Sequence, residues 1–471
     1  MEAENFFIST KYTINDIIGM IRLVFGLTLI MLVCINSHAQ PEQTIVPCNS
    51  DSRYHVTKIR DYSFNELLNE GISTAARQLD VLHMPVRQLK PIIKMHIKQH
   101  HFILGKEERS RAIFRTISFT YPSISPKGEP VMLSGLITIP ILNGYRPQCM
   151  LIYHRLLATY NNIAPSNSIP IEAVLAADNT VCVFPDYFGC GITEGNPLPF
   201  TALNYHARCA AECVISAFEI LQDNGIVLDT EFYTWNTGYS QAGGYALATH
   251  KYIENSLSNS LKERINLRWS LCCDGIYTPD KLYETVIHKG DMGSTPSIFL
   301  QSLRGLFSSH SEQLEGLSIS SFLSDNALNL GIDSILHTYD NGLWDLAYRL
   351  GKLDRSHNPA YYFCPMALDT ASILYKKIIY VLSLDNCLSN WQPRSCVVLS
   401  HSRTDKSIPF RLTRQAYNKL SDNDGCCFIH TPALDGSHLF CGFFYIFNLL
   451  HFNENELYYK YTNIHDEKHK Q

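Results

Sequence analysis

The chain has 471 residues, 45% of them hydrophobic and 18% charged, enough apolar material for a large buried core and too mixed a composition for disorder. Its 39 Lys and Arg against 44 Asp and Glu leave a formal charge of −5; with no basic stripe to neutralise phosphates, no nucleic-acid partner is expected. A chain of this length predicts one large α/β domain with insertions, or a main domain with a smaller cap.

In chain order, Arg22 precedes thirteen mostly apolar residues, 23–35, and Ser37-His38-Ala39-Gln40 follows. A charged start, an apolar stretch and a small-x-small site are the three parts of a secretory signal. Thirteen helical residues reach roughly 20 Å, short of the roughly 30 Å hydrocarbon core. The expectation is therefore a cleaved signal peptide over residues 1–39, an exported chain, secreted or periplasmic, and no stable membrane span in its mature form. Glu2, Glu4 and Asp16 make residues 1–19 unsuited to open such a signal, whereas Met20-Ile21-Arg22 suits it, so Met20 is the expected start. Lipidation at Cys34 is the weaker alternative, because Val33 is bulkier than the small residue that processing prefers.

Residues 40–111 read as a polar, mostly helical region packed on the main body, with Phe64, Leu67, Leu68 and Ile72 at three-to-four-residue spacing. His96, His100 and His101 sit at helical spacing amid lysines and read as a solvated helix face rather than a metal site. Alternating stretches at 116–121 and 131–140, separated by Pro126-Lys127-Gly128-Glu129-Pro130, predict two strands joined by a turn. Beyond Pro147 the strands become continuous apolar runs, at 149–153, 181–184, 232–236 and 267–271, separated by helical stretches at 171–177, 201–224 and 241–253. That rhythm predicts a parallel sheet covered on both faces. Residues 279–390 interrupt it with amphipathic segments such as 298–306 and 343–350, an inserted helical cap. A strand at 396–400, a helix at 409–420, a strand at 426–429 and a helix at 439–452 then resume it, before a polar tail over 453–471. The sheet domain thus comprises residues 112–278 and 391–452.

Several of the 15 cysteines fall in apolar runs such as Cys149-Met150-Leu151-Ile152, where they behave as small buried hydrophobes. No CxxC pair or Cys/His cluster has metal-ligand spacing, so no metal is expected. One or two disulfides remain open, with a pairing that cannot be deduced.

The chemistry concentrates in three places. The strand at 232–236 runs through Thr237-Gly238-Tyr239-Ser240-Gln241-Ala242-Gly243-Gly244 into a helix. A tight strand–turn–helix with serine at its apex lifts the hydroxyl clear of the sheet, and small neighbours avoid clashes there. Asp405 follows the strand at 396–400, and His438 follows the strand at 426–429, so the chain order is Ser, acid, His. In those roles Ser240 is the nucleophile, His438 its base and Asp405 the group that fixes the imidazole tautomer. Asp435 is the rival acid, though its closeness to His438 suits a turn better. The Gln241 amide is the expected first oxyanion donor; the second is assigned to the Leu156 amide, in the loop His154-Arg155-Leu156-Leu157.

Together with Phe184-Pro185-Asp186-Tyr187-Phe188-Gly189-Cys190-Gly191, Ala164-Pro165-Ser166, the 403–409 segment and Gly436-Ser437-His438, the elbow resembles exported α/β-hydrolases of the secretory-lipase family. The resemblance covers roughly residues 114–452, excluding much of the cap. It implies an α/β-hydrolase fold, with a mostly parallel central sheet, helices on both faces and an inserted helical cap. It also implies a serine carboxylic-ester hydrolase (an esterase or lipase) acting on a small-molecule ester, with no metal or organic cofactor and a helical lid over the acyl pocket. Two positions depart from the family pattern: Arg155, where glycine is frequent, and Ala242. Ile298, Phe299, Leu303, Leu306 and Phe307 either line that pocket or form the cap's own core. Two other functions share the scaffold. A peptidase of the prolyl-oligopeptidase kind uses the same acyl-enzyme, but its β-propeller has no room here. A binding module with weak catalysis is favoured by Arg155 and disfavoured by the intact Ser240, Asp405 and His438.

Overall fold

The computed structural model describes residues 53–81, 91, 94, 95, 97–155, 164–293, 296–338, 357–422, 425–431, 436–438, 441, 442 and 445. The expected signal segment, Leu156, His96, Asp435, the cap segment 343–350 and the polar tail lie outside these residues, as does most of the expected last helix.

Nine strands form one sheet: β1 (His55–Tyr62), β2 (Ile113–Ile124), β3 (Pro130–Ile141), β4 (Cys149–His154), β5 (Thr180–Pro185), β6 (Tyr233–Tyr239), β7 (Leu267–Cys273), β8 (Cys396–Ser400) and β9 (Cys427–His430). Their order across the sheet is β1-β2-β3-β5-β4-β6-β7-β8-β9. The first three are joined antiparallel, β3 meets β5 antiparallel, and every pair from β5 to β9 is parallel. The parallel half follows from the continuous apolar runs, which have no solvent-facing side. β4 and β5 are buried along their whole length.

The leading region differs from the sequence reading by one element. Before the expected helix, here α1 (Phe64–Val81), comes β1, paired from His55 with Thr120 to Tyr62 with Phe114. Its residues are exposed or half-buried throughout, as an edge strand's are. The expected helix at 171–177 is a 3-10 segment, Ile171–Asp178. His100 is tied to Asp178, with Nε2 2.9 Å from the carboxylate, a partner far away in sequence.

Helices cover both faces. α1, the 171–178 segment and residues Cys441 and Tyr445 pack on one face with Leu151, Leu271 and Val398. On the other lie α2 (Leu203–Asp223), α3 (Gln241–Ser256) and a later helix, Phe410–Ser421, which sets Leu412, Ala416 and Leu420 against Val397, Leu399 and Cys427. The alternation of Val397, Val398 and Leu399 between the faces is the period of two expected of a strand.

Between β7 and β8 the chain leaves the sheet for a set of helices, including α4 (Pro279–Lys289), α5 (Pro296–Ser309) and α6 (Ile373–Ser383). Their apolar core is continuous with that of α3 and the sheet. Phe299, Leu303 and Leu306 are buried in it, and Ile298 and Phe307 pack against it. Among the described residues no helix is long and apolar enough to cross a membrane. Ten of the thirteen described cysteines are buried, in keeping with their apolar neighbours, and none of the thirteen is disulfide-bonded.

Candidate active site

β6 ends at Tyr239 and α3 begins at Gln241, which leaves Ser240 alone on the turn at φ 60° and ψ −123°. A side-chain-bearing residue in that region is strained by about 1–3 kcal/mol. It is held there because the Ser240 amide donates to the Cys273 carbonyl at 2.9 Å and the Gly244 amide to the Ser240 carbonyl at 3.2 Å. The neighbouring glycines make the turn sterically possible. A Cβ on Gly238 would lie 2.1 Å from the Ala242 carbonyl oxygen, and one on Gly243 would lie 2.4 Å from that of Cys273.

The loops after β8 and β9 bring the other two residues to this serine. Ser240 Oγ lies 2.7 Å from His438 Nε2, and His438 Nδ1 lies 2.6 Å from Asp405 Oδ2. All three are buried. The second Asp405 oxygen accepts the amides of Ser407 at 2.8 Å and Ile408 at 3.0 Å, so the acid is fixed before it meets the imidazole. Burial alone would raise the Asp405 carboxyl, but the charges and hydrogen bonds of His438 and His401 outweigh it and hold the group well below the usual carboxylate range. An ionised carboxylate only accepts. The Nδ1 proton of His438 therefore points at Asp405, and Nε2 is left to accept the Ser240 hydroxyl hydrogen.

Three residues that the sequence reading did not assign complete the surroundings. Tyr239 donates its hydroxyl to the His438 carbonyl, and its ring lies 5.3 Å from the imidazole. The same ring packs on Gly442, where a Cβ would come within 2.6 Å of it. His401, fully buried after β8, donates Nε2–H to the Ile408 carbonyl at 2.8 Å, with Nδ1 2.6 Å from Thr413 Oγ1. Asp274, at the end of β7, is buried at φ 42° and accepts the Ser402 amide at 3.1 Å. His401 Nε2 lies 3.6 Å from Asp274 Oδ1 and 3.5 Å from Asp405 Oδ2. Burial pushes the Asp274 carboxyl up to about 6 against the pull of His401 and His438, with Asp405 adding to the rise. Asp274, His401 and Asp405 are the one metal-compatible group among the described residues. Their atoms are already committed, however: His401 Nε2 to Ile408 and Asp405 Oδ2 to His438.

Gln241 is the first helical residue of α3, so its amide has no acceptor within the helix and lies at the positive end of the helix dipole. Its side chain donates to the Phe200 carbonyl at 3.0 Å, which also accepts the Tyr245 hydroxyl at 2.9 Å. The loop expected to hold the second donor begins with Arg155, buried beside Glu172 and Asp186, whose charges oppose the lowering of its pKa by burial. Asp186 in turn accepts from Ser134 Oγ at 2.6 Å and from the Ser166 amide at 3.3 Å. Arg155 is thus a buried cation with two carboxylates in its electrostatic surroundings.

No protein-family profile matches the chain, and no curated protein matches it. Solved structures do. The rice cell wall degrading esterase LipA of Xanthomonas oryzae is 22% identical, with a TM-score of 0.58 over 70% of this chain and 88% of that one. A supposed hydrolase from Legionella pneumophila gives 14%, 0.62, 85% and 99% for the same four quantities. Candida antarctica lipase A in its closed state gives 12%, 0.52, 73% and 77%. The chain has the α/β-hydrolase fold.

Within an α/β-hydrolase the carboxyl ends of the parallel strands form the crevice where reacting groups gather, and Ser240, Asp405 and His438 follow β6, β8 and β9 there. Of the five site residues named from sequence, the structure brings these three into one hydrogen-bonded line and places Gln241 next to them, while Leu156 lies outside the described residues. His401 had a signal available, since it stands in the same short loop as Asp405. Asp274 also had one, as the acid that ends an apolar strand.

Proposed function

We propose that this α/β-hydrolase cleaves carboxylic esters through an acyl-enzyme, with Ser240 as nucleophile, His438 as general base and acid, and Asp405 as the carboxylate that orients it. The carrying observation is the unbroken line from Ser240 Oγ through both nitrogens of His438 to Asp405. Nε2 takes the serine proton as Oγ adds to the ester carbonyl. The imidazolium so formed is stabilised by Asp405. The Gln241 amide donates to the tetrahedral oxyanion, with the Leu156 amide as the second donor. Collapse expels the alcohol, which receives the proton from Nε2, and a water activated by the same nitrogen then releases the acid. Structural neighbours named as an esterase and a lipase support an ester over an amide as substrate. Residues 279–390 act in this reading as a cap over the acyl side, and residues 1–39 as an export signal.

The test is turnover of a p-nitrophenyl ester series of increasing acyl length, with short peptide amides alongside. Ser240→Ala is expected to lower kcat by roughly 10⁴-fold or more and to leave the melting temperature unchanged. Retention of most of the activity by that variant sinks the assignment. Serine-dependent cleavage of the amides but not the esters moves it to the peptidases.

A further inference from the structure

Three of the described cysteines are only half-buried, Cys364, Cys396 and Cys426, and two of them are neighbours. β8 and β9 run parallel with Val397 opposite Cys427, so Cys396 and Cys426 are the preceding pair in the same register. The Val397 amide donates to the Cys426 carbonyl at 2.9 Å, and the Cys426 amide to the Pro393 carbonyl at 3.0 Å, which fixes the backbone on both sides of the second thiol. Adjacent strands lie about 4.8 Å apart, inside the roughly 4.4–6.8 Å between Cα atoms that a disulfide needs. Residues paired across neighbouring strands share a face of the sheet, so the register sets the two thiols side by side.

We propose that Cys396 and Cys426 form a dithiol site that a low-molecular-weight disulfide oxidises to a cross-strand bridge. The inference is independent of the ester-hydrolase reading. The neighbouring Cys396 thiol holds the Cys426 thiol below its ordinary range, against burial, while Cys396 itself is held above. Cys426 is therefore the attacking sulfur, since the thiolate is the nucleophile. Its electron pair adds to one sulfur of glutathione disulfide, forming a mixed disulfide and expelling one glutathione thiolate. Cys396 then loses its proton to that thiolate, and its sulfur attacks Cys426 and expels the second glutathione. Two protein thiols are oxidised, one small disulfide is reduced to two thiols, and the two protons end on glutathione. The bridge joins the starts of the two strands whose far ends lead to Asp405 and His438.

The experiment incubates the folded full chain with glutathione disulfide, blocks residual thiols by alkylation and maps the peptides without reduction. The expected product is one linked peptide pair, Cys396 to Cys426, lighter by two hydrogens, in a chain whose melting temperature rises by about 3 °C or more. Cys396→Ser is expected to stop at a glutathione adduct on Cys426, and Cys426→Ser to leave Cys396 alkylatable. Full alkylation of both thiols in the oxidised wild-type chain overturns the proposal, and so does a bridge from either to another cysteine. The wild-type map decides even where a serine variant fails to fold.

Discussion

Tyr239 packs against the proposed base. Its hydroxyl donates to the His438 carbonyl and its ring touches both the imidazole and Gly442, so the residue before the nucleophile also positions the base. Tyr239→Phe keeps the ring and deletes one hydrogen bond, a loss of about 1 kcal/mol in ordinary contexts. Here the loss falls on the geometry between Nε2 and Ser240, where small displacements are amplified in rate. We expect kcat on an ester to fall about tenfold, with KM within about twofold. The split separates positioning from mere stability: a lowered melting temperature with kcat intact refutes the role. The sequence shows why this contact escaped notice. Tyrosine beside an elbow serine reads as an apolar neighbour, and its partner is 199 residues away.

At the scale of elements, a buried carboxylate clamps the far end of α3. Glu254, buried, lies 3.2 Å from His250 Nε2 and accepts Trp391 Nε1 at 2.9 Å, the Arg394 amide at 3.1 Å and the Ser395 amide at 2.7 Å. It thus ties the helix that follows Ser240 to the segment that leads into β8. Burial pushes this carboxyl up, but His250, Ser395 and Trp391 outweigh it and bring it down to about 2 from an ordinary 4.5. A folded-state value below the unfolded one gives stability that is present above pH 4.5 and is lost as the pH falls towards 2. Glu254→Gln is therefore expected to lower the melting temperature at neutral pH and to flatten its decline between those two values. An acid limb with the wild-type slope counts against the clamp. Neither Glu254 nor β1 was legible in the sequence, for related reasons. Glu254 stands in Lys251-Tyr252-Ile253-Glu254-Asn255, which reads as an ordinary polar helix turn. β1 is an edge strand without a buried face to impose alternation. The parallel strands were legible because burial on both faces writes continuous apolar runs.

For the whole molecule, the positions of Ser240, Asp405 and His438 after β6, β8 and β9 were legible because topology alone delivers them to one edge. What the sequence did not carry is how the inserted helices are coupled to that edge. Gly305 of α5 packs so closely on the loop before α2 that a Cβ would lie 2.6 Å from the Phe200 amide nitrogen and 3.0 Å from its Cβ. The Phe200 carbonyl is the acceptor for the Gln241 side chain and for Tyr245. Cap, loop and proposed oxyanion donor thus form one chain of contacts. Gly305→Ala forces either α5 or the Phe200 loop to move, an overpacking cost of about 1–3 kcal/mol. If the loop yields, Gln241 moves with it, and loss of an oxyanion donor costs about 10²–10³ in kcat. A partial displacement is expected to lower kcat/KM about tenfold, along with the melting temperature. Ser302→Ala, on the same helix, removes only a bond to the Ile298 carbonyl and is expected to change stability by less than about 0.5 kcal/mol, with turnover intact. Should Gly305→Ala lose stability and keep its full turnover, the cap yields rather than the loop, and the inserted helices and the catalytic edge are mechanically independent.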